Sequence, residues 1–124
     1  MDRTRFARLV TEVLNDLPEE FSSRLTNVEV VVEDAPSKAQ LRSVGLDPAT
    51  DTLFGLYEGV PLEERDQHTL GAPLLPDKIS LFYRPIVDEC ADENEMRAEI
   101  RTTVLHEIAH FFGMDDDELE RWGY

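Results

Sequence analysis

Apolar residues recur every three or four positions from Arg3 to Asn15, which is the period of a helix with one apolar face. The positions that share this spacing are Phe6, Leu9, Val10, Val13, Leu14 and Leu17. Pro18 interrupts the pattern, because proline has no backbone N–H and does not fit a helix interior, and a short further turn follows through Phe21 and Leu25. The chain is therefore predicted to begin with an amphipathic helix.

Three segments rich in β-branched or aromatic residues predict strands. They are Asn27–Glu33, Thr52–Glu58 and Lys78–Tyr83, and we assign the third, which Pro85 ends, to the edge of the sheet. Between the second and third segments, residues 59–76 contain three prolines and two glycines and show no periodicity. This stretch is predicted to be the longest loop, and long loops in compact domains are usually functional or mobile.

Capping residues predict further helices. Ser37 is a suitable N-cap for a short helix through residue 41. Asp92, followed by Glu95 three residues later, has the pattern of a capping box at the start of a long helix that runs to about residue 112. Gly113 is placed where a left-handed C-terminal cap is expected, and residues 115–122 predict a short final helix.

The long C-terminal helix presents two different faces. At roughly 100° per residue, His106 and His110 share a mostly polar strip with Glu99 and Thr103. The apolar residues form a predicted core face elsewhere on the helix: Ile100, Val104, Leu105, Ile108, Phe111 and Phe112. A histidine that merely fills a core would lie among these residues, so the partition favours a functional role for the pair.

This strip carries a His-Glu-x-x-His motif. Histidines four residues apart project from the same helix face, so His106 and His110 can both bind one tetrahedral zinc ion. Glu107 has the side chain that a metal-bound water needs as a base. A turn at Gly113 can bring Asp116, ten residues after His106, to the third coordination position. Asp116 also suits the N-cap of the final helix, and its acidic neighbours remain competent ligands: Asp115, Asp117, Glu118 and Glu120.

Composition and charge narrow the possible partners. We expect one domain over residues 1–124, and no apolar run approaches the roughly 20 residues of a transmembrane helix. The N-terminus lacks the apolar core of a signal peptide, and one cysteine cannot form an intrachain disulfide, so we expect a cytoplasmic protein. The net charge of −15 opposes binding to nucleic acid or to an anionic membrane.

Three other side chains are weaker candidates for the metal site. His68 lies in the long loop, where a solvated histidine is the simpler interpretation. Cys90 is a soft ligand type, but its place before the long helix indicates a partly buried free thiol. Met114 can pack beneath a metal, or make the apolar contact that often follows a helix-capping glycine.

The run from His106 to Asp116, HEIAHFFGMDD, has the pattern HExxHxxGxxD and resembles the zincin metallopeptidases, most of all a family of small bacterial zincin-like proteins. Residues 53–65 (LFGLYEGVPLEER), 75–79 (LPDKI) and 81–85 (LFYRP) are similar to other blocks of that family. The resemblance implies an α+β fold. It implies that a short mixed sheet of about three to four strands packs on the active-site helix, with an N-terminal helix and a short C-terminal helix. It also implies zinc held by His106, His110 and Asp116, with Glu107 as general base.

Three functions are compatible with these features. The first is zinc-dependent hydrolysis of a peptide bond in a peptide or protein that pairs with the edge strand. The sequence does not rank the candidates that would stabilise the oxyanion: Tyr57, His68, Tyr83, Arg84 and Tyr124. The second is a zinc-containing module that binds a peptide or protein with weak or no catalysis. This function is favoured because metzincins usually have a methionine-containing turn after the third ligand, and no such turn follows Asp116 here. The third is a non-peptidase amidase that uses the same zinc–glutamate pair.

Overall fold

A computed structural model describes residues 1–59, 76–114 and 116–121, and for residues 116, 118 and 119 it describes the backbone alone. The helices are α1 (Arg3–Asn15), α2 (Glu19–Ser22) with a 3-10 turn at Ser23–Leu25, α3 (Lys38–Ser43), α4 (Tyr83–Glu89), α5 (Glu93–Phe111) and α6 (Asp116–Arg121). The strands are β1 (Val28–Glu33), β2 (Gly55–Glu58) and β3 (Asp77–Phe82). None of the helices in these parts of the chain has the length and apolar character needed to cross a membrane.

The capping residues start their helices as predicted. Ser37 and Gln40 form a complete capping box at α3, in which each side chain bonds the backbone N–H of the other residue at 3.0 and 2.8 Å. The Asp92 carboxylate accepts a hydrogen bond of 2.9 Å from the backbone N–H of Glu95 and so begins α5. These side chains satisfy N–H groups that have no acceptor within the helix, which explains why both helices begin where the sequence indicates.

The helix α4 was missed by the sequence patterns. Pro85 is its third residue, whereas we expected this proline to end the preceding strand. Proline is compatible with the first turn of a helix, because the N–H groups of that turn have no acceptor within the helix in any case. β3 ends at Phe82, and the chain passes directly from the strand into α4.

The sheet is mixed, with the strand order β1-β3-β2, and confirms the predicted α+β class. β1 runs parallel to β3, and β2 runs antiparallel to it. Our assignment of the third predicted strand to the edge was therefore wrong, because β3 has a partner on each side. Its core residues Ile79, Leu81 and Phe82 are fully buried, as is typical of a central strand. Among the described strands, β2 and β1 form the edges.

Helix α5 packs against both α1 and the sheet. Its fully buried residues join those of α1 and β3 in one apolar core: Ile100, Val104, Leu105 and Ile108 with Phe6, Leu9, Ile79 and Leu81. Arg5 of α1 also forms two hydrogen bonds of 2.9 Å with Glu93 at the start of α5, and these bonds hold the pKa of Glu93 below its ordinary value. The packing confirms the predicted core face through Ile108.

β2 approaches α5 most closely at Gly55. A Cβ atom at this position would lie 2.5 Å from Cγ2 of Thr103 and 3.1 Å from the backbone oxygen of Ser80. Only glycine leaves room for the helix at this point. Thr103, which we placed on the mostly polar strip of the helix, is consequently buried, with 8% of its surface exposed. The sheet covers that side of the helix.

Gly55→Ala is expected to lower the free energy of unfolding by about 1–3 kcal/mol, because the added methyl group overpacks the contact with Thr103. Chemical denaturation of the variant measures this loss. Thr103→Ser removes the clashing methyl group, so Gly55→Ala should cost less in that background. An equal cost in both backgrounds would show that the strain lies elsewhere.

Candidate metal centre

The C-terminal end of α5 is closed by a complete left-handed cap. Gly113 has a φ of +74°, its N–H donates to the carbonyl of His110 at 3.3 Å, and the N–H of Met114 donates to the carbonyl of Ala109 at 2.8 Å. This pair of bonds is the Schellman arrangement, which reverses the chain at a helix end. Met114 is half-buried and packs on the core, which fits the apolar contact that accompanies such a cap. The chain can then start α6 within three residues of Gly113.

His106 and His110 lie one turn apart, just before this cap. Their ring centres are 6.2 Å apart, and the ring planes are inclined by 29°. Two imidazoles on one tetrahedral zinc have ring centres about 5 Å apart, given a zinc–nitrogen distance of about 2.0–2.1 Å. His110 is 65% exposed in its side chain and can rotate to close this difference. The separation of the two ring centres is thus about 1 Å larger than a shared zinc ion requires, and the exposed His110 side chain has room to move.

Glu107 is turned toward the sheet. Its side chain is 21% exposed, and its Oε1 accepts a hydrogen bond of 2.9 Å from the backbone N–H of Tyr57 in β2. Its Oε2 lies 4.0 Å from Nδ1 of His110, which is too far for a hydrogen bond. The carboxylate is thus held through one oxygen beside the histidine pair.

Two aromatic residues follow His110 in the chain, and each ring packs on a residue of another element. The ring of Phe111 stacks on that of Tyr57, with centres 4.0 Å apart and planes inclined by 16°, and the Tyr57 hydroxyl donates to Oδ2 of the buried Asp77 at 2.8 Å. The Phe112 ring lies under the guanidinium of Arg24, 5.0 Å from its centre.

The placement of Phe111 and Phe112 on the core face was wrong, because they are 48% and 41% exposed. Helical periodicity gives the direction in which a residue points, but it does not show where the elements that cover that face end.

The predicted third ligand is only partly located. Asp116 is the first residue of α6, but its side chain lies outside the described residues, as do those of Asp115 and Glu118. The alternatives Asp117 and Glu120 are exposed. Among the side chains that the structure describes, no three potential ligands come together. The ligand role of Asp116 stays a prediction.

Some of the other candidates for the metal site and the oxyanion lie outside the described residues, and some lie away from the histidines. His68 and Tyr124 lie outside the described parts of the chain. Tyr83 packs edge-to-face on Phe6 and donates its hydroxyl to the carbonyl of Met1, so it serves the N-terminal helix. Of the oxyanion candidates that the structure describes, Tyr57 lies against the histidine-bearing end of α5, although its hydroxyl is bonded to Asp77.

Cys90 is a half-buried free thiol, as predicted. Burial, and then the charges of nearby carboxylates, raise the pKa of this thiol, which disfavours the thiolate form that binds metals. It precedes the start of α5, roughly 20 Å along the helix from His106. It does not belong to the histidine site.

Sequence reasoning missed one group at the site, the backbone N–H of Tyr57. A main-chain donor leaves no signature in residue type, because nearly every residue carries one. The available signal was the edge position of β2, which leaves alternate N–H groups unpaired, and we had assigned the edge to β3 instead.

Known proteins support the fold and the family. A family model described as zincin-like metallopeptidase matches residues 25–124. A solved structure of a conserved hypothetical protein from Thermus thermophilus is similar over 90% of this chain and 94% of its own, with 24% identity and a TM-score of 0.56. That similarity shows a shared fold. No curated protein sequence gives a significant match.

Proposed function

Because the chain belongs to the zincin-like metallopeptidase family, we propose that it hydrolyses peptide bonds with a zinc ion bound at the end of α5. One observation carries the proposal. His106 and His110 lie one turn apart at the surface, with the carboxylate of Glu107 held between them and the edge strand β2.

We assign the zinc ligands to His106, His110 and Asp116. When bound, zinc lowers the pKa of a water molecule and polarises a carbonyl group. Two imidazoles and one carboxylate form a usual ligand set for catalytic zinc, and they leave a fourth position open. The chain reversal at Gly113, which places the start of α6 three residues later, supports the choice of Asp116.

Glu107 is the general base in this proposal. It takes a proton from the attacking water and later gives it to the leaving amine. Its Oε2 accepts no hydrogen bond among the described residues, whereas Oε1 is bonded to Tyr57. A carboxylate that is fixed at one oxygen and available at the other suits repeated proton transfer.

We propose a peptide or protein segment in extended form as the substrate, lying along the outer edge of β2. This strand borders α5 and forms an edge of the sheet among the described strands, and an exposed edge can add a further strand through main-chain hydrogen bonds. The net charge of −15 opposes nucleic acid and anionic lipid as partners. A cytoplasmic location fits the single cysteine, which is a free thiol.

A second candidate function is a zinc-containing module that binds a peptide without cutting it. The half-exposed ring of Phe111 favours this, because it offers an aromatic surface at the histidine-bearing end of α5. A fourth protein ligand on zinc would close the position that water needs, so coordination number separates the two functions. An amidase acting on non-peptide amides would keep that position open and differ only in its substrates.

The proposed ligand set predicts about one zinc per chain in the purified, untagged protein, and loss of that zinc in His106→Ala, His110→Ala and Asp116→Ala after dialysis. Elemental analysis by mass spectrometry measures the metal content. Asp117→Ala is a matched control, because Asp117 is an exposed neighbour in α6, and it should keep its zinc. Retention by Asp116→Ala together with loss by Asp117→Ala would move the third ligand to Asp117.

The proposed base predicts that Glu107→Gln keeps zinc and loses hydrolysis by about 10²–10⁴-fold, since glutamine has a similar shape but accepts no proton. Casein and peptide libraries, incubated with and without a chelator, provide the substrates. Turnover of any cleaved peptide at the wild-type rate in Glu107→Gln would exclude Glu107 as the base. Cleavage confined to non-peptide amides would instead favour the amidase.

A further inference from the structure

Tyr57 makes contacts through three different groups, and two of these contacts are with the end of α5. Its backbone N–H donates to Oε1 of Glu107 at 2.9 Å, and its ring stacks on Phe111 at a centre-to-centre distance of 4.0 Å. Its hydroxyl donates to Oδ2 of Asp77, the first residue of β3, at 2.8 Å. One residue of the edge strand thus ties the end of α5 to the central strand of the sheet.

The direction of the Tyr57 N–H follows from the pairing of the strands. Tyr57 is opposite Ile79 in the antiparallel ladder, while the carbonyl of Phe54, three residues earlier, accepts a bond from the N–H of Phe82. Backbone groups alternate in direction along a strand, so the N–H of Tyr57 points away from β3 and toward α5. Glu107 occupies a donor that would otherwise be unpaired at an open edge.

We propose that Tyr57 is a positioning residue for Glu107: its N–H fixes Oε1 and leaves Oε2 as the oxygen that exchanges the proton. This inference rests on the proposed role of Glu107 in hydrolysis. A hydrogen bond to a charged acceptor is stronger than one between neutral groups, so the N–H restricts rotation of the carboxylate. The fixed geometry brings Oε2 toward His110 and the surface where zinc is proposed to bind.

The side chain of Tyr57 holds its own backbone in place. The ring stack on Phe111 sets the distance between β2 and the last turn of α5, and the bond to Asp77 fixes the ring against β3. A Cβ atom on Gly59, two residues further along, would lie 3.0 Å from the same Phe111 ring, so the strand stays close to this ring beyond Tyr57. Loss of the stack should therefore loosen the N–H contact without touching the metal ligands.

The occupied N–H also affects how a substrate can bind. An extended peptide on the outer edge of β2 cannot use the N–H of Tyr57 while Glu107 holds it. A peptide carbonyl beside Tyr57 therefore finds no free backbone donor at this residue of the strand.

Hydrogen exchange of the Tyr57 amide, followed by nuclear magnetic resonance on the full chain, tests the contact directly. We expect exchange about tenfold faster or more in Glu107→Ala than in the wild type, because the amide loses a charged acceptor. Glu107→Gln retains an oxygen acceptor and should restore most of the protection. The amide of Ile79 in β3 is the internal reference and should exchange at the same rate in all three proteins, which excludes global unfolding as the cause.

Phe111→Leu and Phe112→Leu form a matched pair for the effect on catalysis. Both remove a half-exposed ring from the end of α5, but only the Phe111 ring stacks on Tyr57. We expect Phe111→Leu to lower kcat by about tenfold with KM changed less than about twofold, and to keep its zinc, because a misplaced base slows the chemical step. Phe112→Leu should retain wild-type kcat.

The two experiments separate the positioning role of Tyr57 from the proposed hydrolysis. Wild-type exchange of the Tyr57 amide in Glu107→Ala, or equal kcat in Phe111→Leu and the wild type, would overturn the positioning role. If the amide responds as expected but the protein cuts no peptide, the proposed hydrolysis fails while the contact between Tyr57 and Glu107 stands.

Discussion

The close packing of β2 on α5 is the constraint on which the candidate site depends. Gly55 allows the strand to approach Thr103, and this approach brings the next outward-facing N–H, that of Tyr57, within hydrogen-bonding distance of Glu107. A side chain at Gly55 would push the strand away and break the contact between sheet and base. The same packing buries one side of α5 and leaves the histidines on a surface that the described elements do not cover.

The two ends of α5 also determine where the surface that carries the histidines lies. Asp92 caps its first turn, and the Schellman arrangement at Gly113 ends it immediately after His110. A helix that continued further would carry the acidic segment away from the histidines. The helix instead ends at this cap, and α6 starts at Asp116, the third proposed ligand. In catalytic sites of this kind one helix supplies two zinc ligands, and a second element supplies the third.

Much of the fold could be predicted from the sequence, because local rules determine it. The period of α1, the β-branched residues of β1 and the caps at Asp92 and Gly113 each act within a few residues. The failures concern relations between distant segments. No local pattern shows that β3 is central, that the sheet buries Thr103, or that the described elements leave Phe111 half-exposed. Pro85 was misjudged because proline can either end a strand or begin a helix.

In the candidate site, too, local sequence patterns predicted some groups and missed one that depends on tertiary packing. His106, Glu107 and His110 were found because their chemistry and spacing lie on one helix, and their roles as ligands and base remain proposals. The backbone N–H of Tyr57 was missed, since its importance comes from tertiary packing alone. X-ray absorption at the zinc edge, measured on the purified protein, tests the central claim most directly. The account predicts nitrogen and oxygen neighbours only, at about 2.0–2.2 Å, with the scattering of two imidazoles. A sulfur neighbour at about 2.3 Å, or the absence of imidazole scattering, would contradict it.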